Sequence, residues 1–237
     1  MQKLACKQDC PNCGGFGWVK NYYEIGHPMF GKFEPCPDAS FYYLAQQRGD
    51  IGIGDFDYEN LAWSKFQPNG NTLQTLSMVK SAIESGSTWI TLWGNYGLGK
   101  TRILKTAVVE ALKAGKFGAY VRMAEILQDL RDSYDDKDKS RSYTKRMEFW
   151  QSQEVLAIDE FDRINNTEWG NEQRFVLMDN RYDMALRGDG VTIVAMNTEP
   201  KKLDGYLFDR MSDGRFNIVA VKGESFRPRA EVQASIF

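Results

Sequence analysis

The stretch WITLWGNYGLGKTRILKTAVVEAL, residues 89–112, decides the fold. Residues 88–93 (TWITLW) are apolar or β-branched, the composition of a strand buried on both faces. Gly94, Gly99, Lys100 and Thr101 then satisfy G-x-x-x-x-G-K-[ST]. Ile103, Leu104, Ala107, Val108, Ala111 and Leu112 follow at helical spacing, and Gly115 suits the C-cap. A strand, a glycine-rich turn and a helix in this order make a phosphate cradle. The glycines allow close backbone approach, and the backbone N–H groups and positive helix end face the anion. The binding segment is Gly94, Asn95, Tyr96, Gly97, Leu98, Gly99, Lys100, Thr101 and Arg102. Lys100 is expected on the β- and γ-phosphates of ATP and Thr101 on Mg²⁺. A chance glycine-rich turn leaves both flanks unexplained.

Working outward, helices are expected over 72–86, 101–115, 123–134, 143–153, 172–188 and part of 200–214. Strands are expected over 117–122, 154–159, 190–197 and 216–221. Strands alternating with helices imply a parallel sheet with helices on both faces. Residues 49–63 (GDIGIGDFDYENLAW) and 67–72 (QPNGNT) read as loop-rich connections. The strand VLAID ends in Asp159-Glu160 and the strand TIVAM in Asn197. A parallel sheet delivers both tips to the edge that carries the phosphate loop. Asp159 is expected to hold Mg²⁺, directly or through water, and Glu160 to orient or activate the attacking water. Asn197 suits positioning of that water or sensing of the γ-phosphate, and a turn-forming Asn is the bland alternative.

GNYGLGKT, VLAIDEFD, the Asn197 strand end and LFDRMSDGRF (207–216) resemble, in order and spacing, the AAA+ ATPases. Within these the chain is similar to the DnaC/IstB-like helicase loaders, over roughly residues 50–227, including NRYDMAL (180–186) and VKGESFR (221–227). The resemblance implies a three-layer AAA+ P-loop sandwich with a central parallel sheet, preceded by a small zinc-binding module. The division falls near residue 50, giving a 1–50 module and a 51–237 ATPase domain without a C-terminal lid. It further implies that Arg210 is an arginine finger reaching the ATP of a neighbouring subunit; a surface Arg paired with Asp209 or Asp213 is the alternative. Arg181 is a second candidate for the finger, with bracing of a subunit contact as its alternative role. Arg227 is a substitute for the second sensor that a lid carries elsewhere.

Of the four cysteines, Cys6, Cys10, Cys13 and Cys36, none lies in the last two hundred residues. That asymmetry argues for a local metal site over a disulfide framework. CKQDCPNCGGFGW (6–18) has zinc-knuckle chemistry: two thiolates flank a two-residue gap, and the glycines let backbone N–H groups turn to the sulfurs. Four thiolates close a structural Zn²⁺ tetrahedron, with His27 or Asp38 as alternatives to Cys6. Four reduced thiols are the bland reading.

The formal net charge of −2 excludes a polycation, so nucleic-acid contact requires a local patch. Arg122, Arg131, Lys137, Lys139, Arg141, Lys145 and Arg146 could meet single-stranded DNA phosphates, with Tyr134, Tyr143 and Phe149 stacking on bases. A solvated helix face is the equal alternative, given the interspersed acids. No stretch is long and apolar enough to span a bilayer and the start lacks an apolar signal core, so no membrane partner and a cytoplasmic location are expected. The expected function is ATP-dependent loading of a replicative DNA helicase onto single-stranded DNA, with self-association into a ring or helical oligomer and hydrolysis as the release switch. An IstB-like transposition helper and an ATP-clamped adaptor without turnover are the alternatives. A small-molecule kinase is disfavoured, because the Asp159-Glu160 pair and Asn197 suit an attacking water.

Overall fold

A computed structural model describes residues 9–27, 30–36, 51–67, 69–114, 116–134, 142–165 and 167–227. Gly115, expected to cap the helix after the phosphate loop, lies outside them.

Five parallel strands form the sheet: β3 (Thr88–Trp93), β4 (Gly118–Arg122), β5 (Val155–Asp159), β6 (Val191–Met196) and β7 (Asn217–Ala220), in the order β4-β5-β6-β3-β7. β3, β5 and β6 are interior, which explains their continuous apolar composition; Trp89, Leu92, Leu156, Ile158, Ile193 and Val194 are fully buried. The Trp89 indole survives burial because its N–H donates to Thr91 Oγ1 at 3.1 Å. β7, at one edge, is the strand left partly exposed.

The helices are α1 (Asp55–Asn60), α2 (Thr72–Ser85), α3 (Lys100–Lys113), α4 (Met123–Asp132), α5 (Tyr143–Gln151), α6 (Glu168–Arg187) and α7 (Gly205–Met211). The chain moves one way along the sheet from β3 to β4 and the opposite way through β5, β6 and β7. Right-handed crossovers in opposite directions put the intervening helices on opposite faces, α3 on one and α4–α7 on the other. α1 and α2 pack on α3, completing three layers. Gly86 ends α2 in the left-handed conformation with φ 75°, as its place in the sequence predicts. Two features differ from expectation. Residues 55–60, read as loop, form α1, and α6 begins four residues earlier than its apolar pattern, at Glu168 behind an N-cap in which Thr167 accepts from Gly170 N.

The N-terminal segment carries a two-stranded antiparallel ladder, β1 (Trp18–Val19) and β2 (Glu34–Pro35), with its own small buried cluster of Cys10 and Cys36. No helix among the described residues is long and apolar enough to cross a membrane.

Candidate functional site

The carboxyl ends of β3, β5 and β6 open into a cleft of about 540 Å³. Its lining includes Tyr96–Arg102, Asp159, Glu160 and Asn197. Gly99 caps α3 with φ 81°, and Gly94 has φ 148°. A Cβ on Gly94 would stand 2.5 Å from Val221 O, so the loop requires glycine there to pass the chain end. Leu98 turns into the core, Tyr96 is exposed, and the Asn95 carbonyl faces Lys100.

Lys100 is buried and donates to Gly94 O at 2.7 Å, Asn95 O at 2.8 Å and Asn197 Oδ1 at 3.0 Å. Burial pushes its ammonium pKa down, Asp159 and Asp162 pull it back up, and Arg227 lowers it again. Thr101 Oγ1 donates to Asp159 Oδ2 at 2.6 Å. A hydroxyl and a carboxylate this close are the hard oxygen donors that suit Mg²⁺ beside phosphates. Asp159 takes two further donors, Tyr120 Oη on Oδ2 at 3.0 Å and the Glu160 N–H on Oδ1 at 2.8 Å. Burial, and then the Asp159 carboxylate, push the Tyr120 phenol up, so it stays protonated and donating. Glu160 stands in the left-handed region at φ 48°, the one described non-glycine residue that does so. Its carboxylate meets Arg163 Nη1 at 3.1 Å across an exposed pair.

Several residues in or supporting the cleft are not marked by the sequence motifs. Asp162 Oδ2 accepts from the backbone N–H groups of Asn197, at 3.1 Å, and Thr198, at 2.7 Å, pinning the β6 tip to the β5 loop. Its place three residues after Asp159 in DEFD was the available signal. Leu61, Phe66 and Gln67 add a wall beside Arg102, whose guanidinium lies 4.9 Å from the Phe66 ring centre and donates to Lys65 O at 2.9 Å. The chain end forms the other wall. Asn71 Oδ1 accepts from Lys222 N at 2.7 Å and Asn69 Oδ1 from Glu224 N at 2.9 Å. These clips bring Phe226 N to Gly97 O at 2.9 Å and place Phe226 and Arg227 in the cleft lining.

Arg210, in the last turn of α7, is not among the residues lining its own chain's cleft. Its guanidinium lies 4.3 Å from the Tyr182 ring centre and 4.8 Å from that of Tyr206, donates to Tyr206 Oη at 2.9 Å, and meets Asp179 at 3.3 Å. The pairing partner is therefore Asp179 and not Asp209 or Asp213; Asp213 instead holds Arg215 at 2.5 Å. Arg181 is corrected outright. It is fully buried, donating to Thr192 Oγ1, Gln151 O, Gln153 O and Val191 O, and burial pushes its guanidinium down to about 9. A side chain used up in tying α5, α6 and β6 together has no surface left to brace a neighbour.

Of the cations considered for DNA, the four described ones, Arg122, Arg131, Lys145 and Arg146, each meet a partner within the chain. Arg122 pairs with Glu125, whose carboxylate also accepts from the Arg122 backbone N–H at 3.0 Å, Arg146 grips Asp129 at 2.8 Å and Lys145 meets Glu148 at 3.4 Å. Phe149 packs edge-on against Trp150, while exposed Tyr134 stacks on Tyr143 at 5.1 Å and Arg131 lies over Trp169 at 5.0 Å. Lys137, Lys139 and Arg141 lie outside the described residues.

In the N-terminal segment the thiols of Cys10, Cys13 and Cys36 lie within 4.8 Å of one another, with Cys10 and Cys36 Sγ at 3.6 Å. Sulfurs on one tetrahedral Zn²⁺ stand about 3.8 Å apart, so the set fits that ion. The Gly17 N–H donates to Cys13 Sγ at 3.2 Å, the glycine-supported contact expected of the turn. His27 is not part of the converging set; it stacks on Tyr23 with ring centres 4.3 Å apart. Cys6 and Asp38, the other candidates for a fourth ligand, lie outside the described residues.

Compared with known proteins, residues 44–234 match the family described as IstB-like ATP binding protein. No curated protein matches. Among solved structures the chain is similar to the DnaC helicase loader (TM-score 0.57, 15% identity, 71% of this chain and 100% of that one). It is similar to DnaI (0.58, 13%, 77% and 100%). It is also similar to the replication initiator DnaA bound to AMPPCP and single-stranded DNA (0.58, 24%, 74% and 52%). The chain thus spans about half the length of the DnaA structure it matches.

Proposed function

We propose, from the premise that the chain belongs to the IstB-like ATP-binding protein family of AAA+ ATPases, that it binds and hydrolyses ATP to load a ring-shaped replicative helicase onto single-stranded DNA. The observation that carries the catalytic part is the convergence of Lys100, Thr101, Asp159, Glu160 and Asn197 in one cleft at the strand ends.

Lys100 binds the β- and γ-phosphates, trading its carbonyl contacts for phosphate oxygens. Thr101 and Asp159 hold Mg²⁺, which when bound neutralises charge on the same oxygens. Glu160 orients the attacking water and accepts its proton as the γ-phosphoryl group transfers. Asn197, fixed by Asp162 through the backbone, contacts the γ-phosphate or that water. Arg227, which lines the cleft, takes the part of a lid-borne sensor. Arg210, which does not line its own cleft, completes the site of an adjacent copy in a ring or helical oligomer, because a fixed positive charge stabilises the transferring group. The thiol cluster with Zn²⁺ forms a structural module that grips the partner protein.

The likeness to DnaC, a helicase loader, and to DnaA bound to single-stranded DNA supports this choice of partner and substrate. The test is capture of purified replicative helicase by the full chain with ATP, beside turnover measured with and without single-stranded DNA. Helicase capture and DNA-responsive turnover are expected. Capture of a transposase alone would reassign the chain to transposition, and ATP binding without turnover would make it an ATP-clamped adaptor.

A further inference from the structure

Tyr120 has no part in the reading above, yet it touches the centre of the site. It lies on β4, the edge strand beside β5, and is paired across the ladder with Ala157. Residues two apart on one strand share a face, so the Tyr120 side chain leans diagonally to Asp159. The contact is Tyr120 Oη to Asp159 Oδ2, 3.0 Å, between two buried residues.

The surroundings hold the ring in that pose. Tyr120 N donates to Ile51 O at 2.8 Å, and Gly52, with φ 66°, lies so close that a Cβ there would stand 1.9 Å from Tyr120 O. On the cleft side Lys105 Nζ sits 5.2 Å from the ring centre while paired with Asp57 at 2.6 Å. The phenol is therefore a fixed donor.

Its effect follows from counting lone pairs. Asp159 Oδ2 accepts from both Thr101 and Tyr120, which fills that oxygen, and Oδ1 accepts from Glu160 N. The carboxylate is held at three points, with its one uncommitted lone pair on Oδ1. We infer that Tyr120 is a positioning residue that fixes the Asp159 carboxylate for the divalent cation accompanying the nucleotide, and so sets the cation requirement of the site. This rests on the nucleotide reading above. Without the phenol the carboxylate turns about its Cβ–Cγ bond, and Thr101 must anchor Oδ2 alone.

The test compares the full chain with Tyr120→Phe, which keeps the ring and its packing. A fluorescent ATP analogue is titrated first in EDTA and then at fixed nucleotide with increasing Mg²⁺, and Tm is recorded without nucleotide. Expected are unchanged metal-free nucleotide affinity, Tm within about 2 °C of the parent, and a Mg²⁺ half-saturation point raised about tenfold, the scale of one hydrogen bond to a charged group. Mn²⁺, which tolerates looser geometry, should show a smaller rise. An unchanged or lowered Mg²⁺ half-saturation point in a variant that binds nucleotide would overturn the inference, as would a loss of metal-free affinity equal to the loss with Mg²⁺. Failure of the parent chain itself to bind nucleotide would instead overturn the nucleotide reading.

Discussion

Replacing Lys100 by Met separates a binding lysine from a structural one. The ammonium donates to three acceptors in the free protein, Gly94 O, Asn95 O and Asn197 Oδ1. Asn197 lines an open cleft, Asn95 is exposed and Gly94 is half-buried, so water replaces the lost donor, and desolvation already works against the charge. The stability without nucleotide is therefore expected to stay within about 1 kcal/mol of the parent. The nucleotide-dependent part behaves differently. At a concentration 100 times Kd, ATP stabilises the parent by about 2.7 kcal/mol, a Tm rise of roughly 5–10 °C for a chain of this size. Losing one to two charge-assisted contacts, about 3 kcal/mol, weakens binding roughly 150-fold. The same ATP then stabilises Lys100→Met by less than about 0.5 kcal/mol, a shift under about 2 °C. Thermal unfolding of both proteins with and without MgATP gives all four numbers. A retained ATP shift, or a large Tm loss without nucleotide, would refute the assignment. The pH dependence has a defined sign. A lysine whose folded pKa lies below the ordinary 10.5 binds fewer protons folded than unfolded, so its contribution improves as pH rises through the window below 10.5. The parent should gain on Lys100→Met across that alkaline window and not below it.

Glu160→Gln is expected to keep the ATP-induced Tm shift while single-turnover hydrolysis falls by about 10²–10⁴; undiminished hydrolysis would remove the base assignment. Arg210→Ala should bind ATP normally in dilute solution yet lose the rise in specific activity with protein concentration, by as much as about 10³; an unchanged concentration profile would confine Arg210 to its Tyr182 and Tyr206 contacts. Arg181→Met leaves the carbonyls of Gln151, Gln153 and Val191 without their donor, and should cost about 3–5 kcal/mol, or roughly 10 °C in Tm, with the ATP-induced shift intact. Elemental analysis should find one Zn²⁺ per chain, lost in Cys36→Ser, with the nucleotide-stabilised transition unmoved in the metal-free protein.

What the sequence discloses here depends on whether a feature is local. The five sheet strands are legible because each is a short apolar run, and the phosphate loop because its glycines, lysine and threonine are consecutive. Asp159 and Asn197 are legible as strand tips. α1 is not, since six residues, DFDYEN, are too few to show a period, and the helix is held by tertiary contacts such as Lys105 on Asp57. Arg181 misled because charge usually marks a surface. Yet it lies at helical spacing among Leu177, Met178, Tyr182 and Ala185, all buried, and that apolar stripe was the sign that this guanidinium points inward.

The same distinction explains why the site's supporting contacts stayed hidden. Tyr120 meets Asp159 across 39 residues of chain, and Asp162 meets the backbone of Asn197 across 35. Periodicity says which face of its own strand a residue takes, but not which residue of the neighbouring strand lies opposite. A shift of one residue between β4 and β5 would put the phenol and the carboxylate on opposite faces of the sheet. Their contact is therefore a property of register, fixed by the packing of every residue in both strands. It follows that the loop sequence alone describes a generic phosphate cradle, while the residues that tune its cation and water belong to this particular sheet. Two chains with the same loop but different registers would bind nucleotide alike and differ in how they use it.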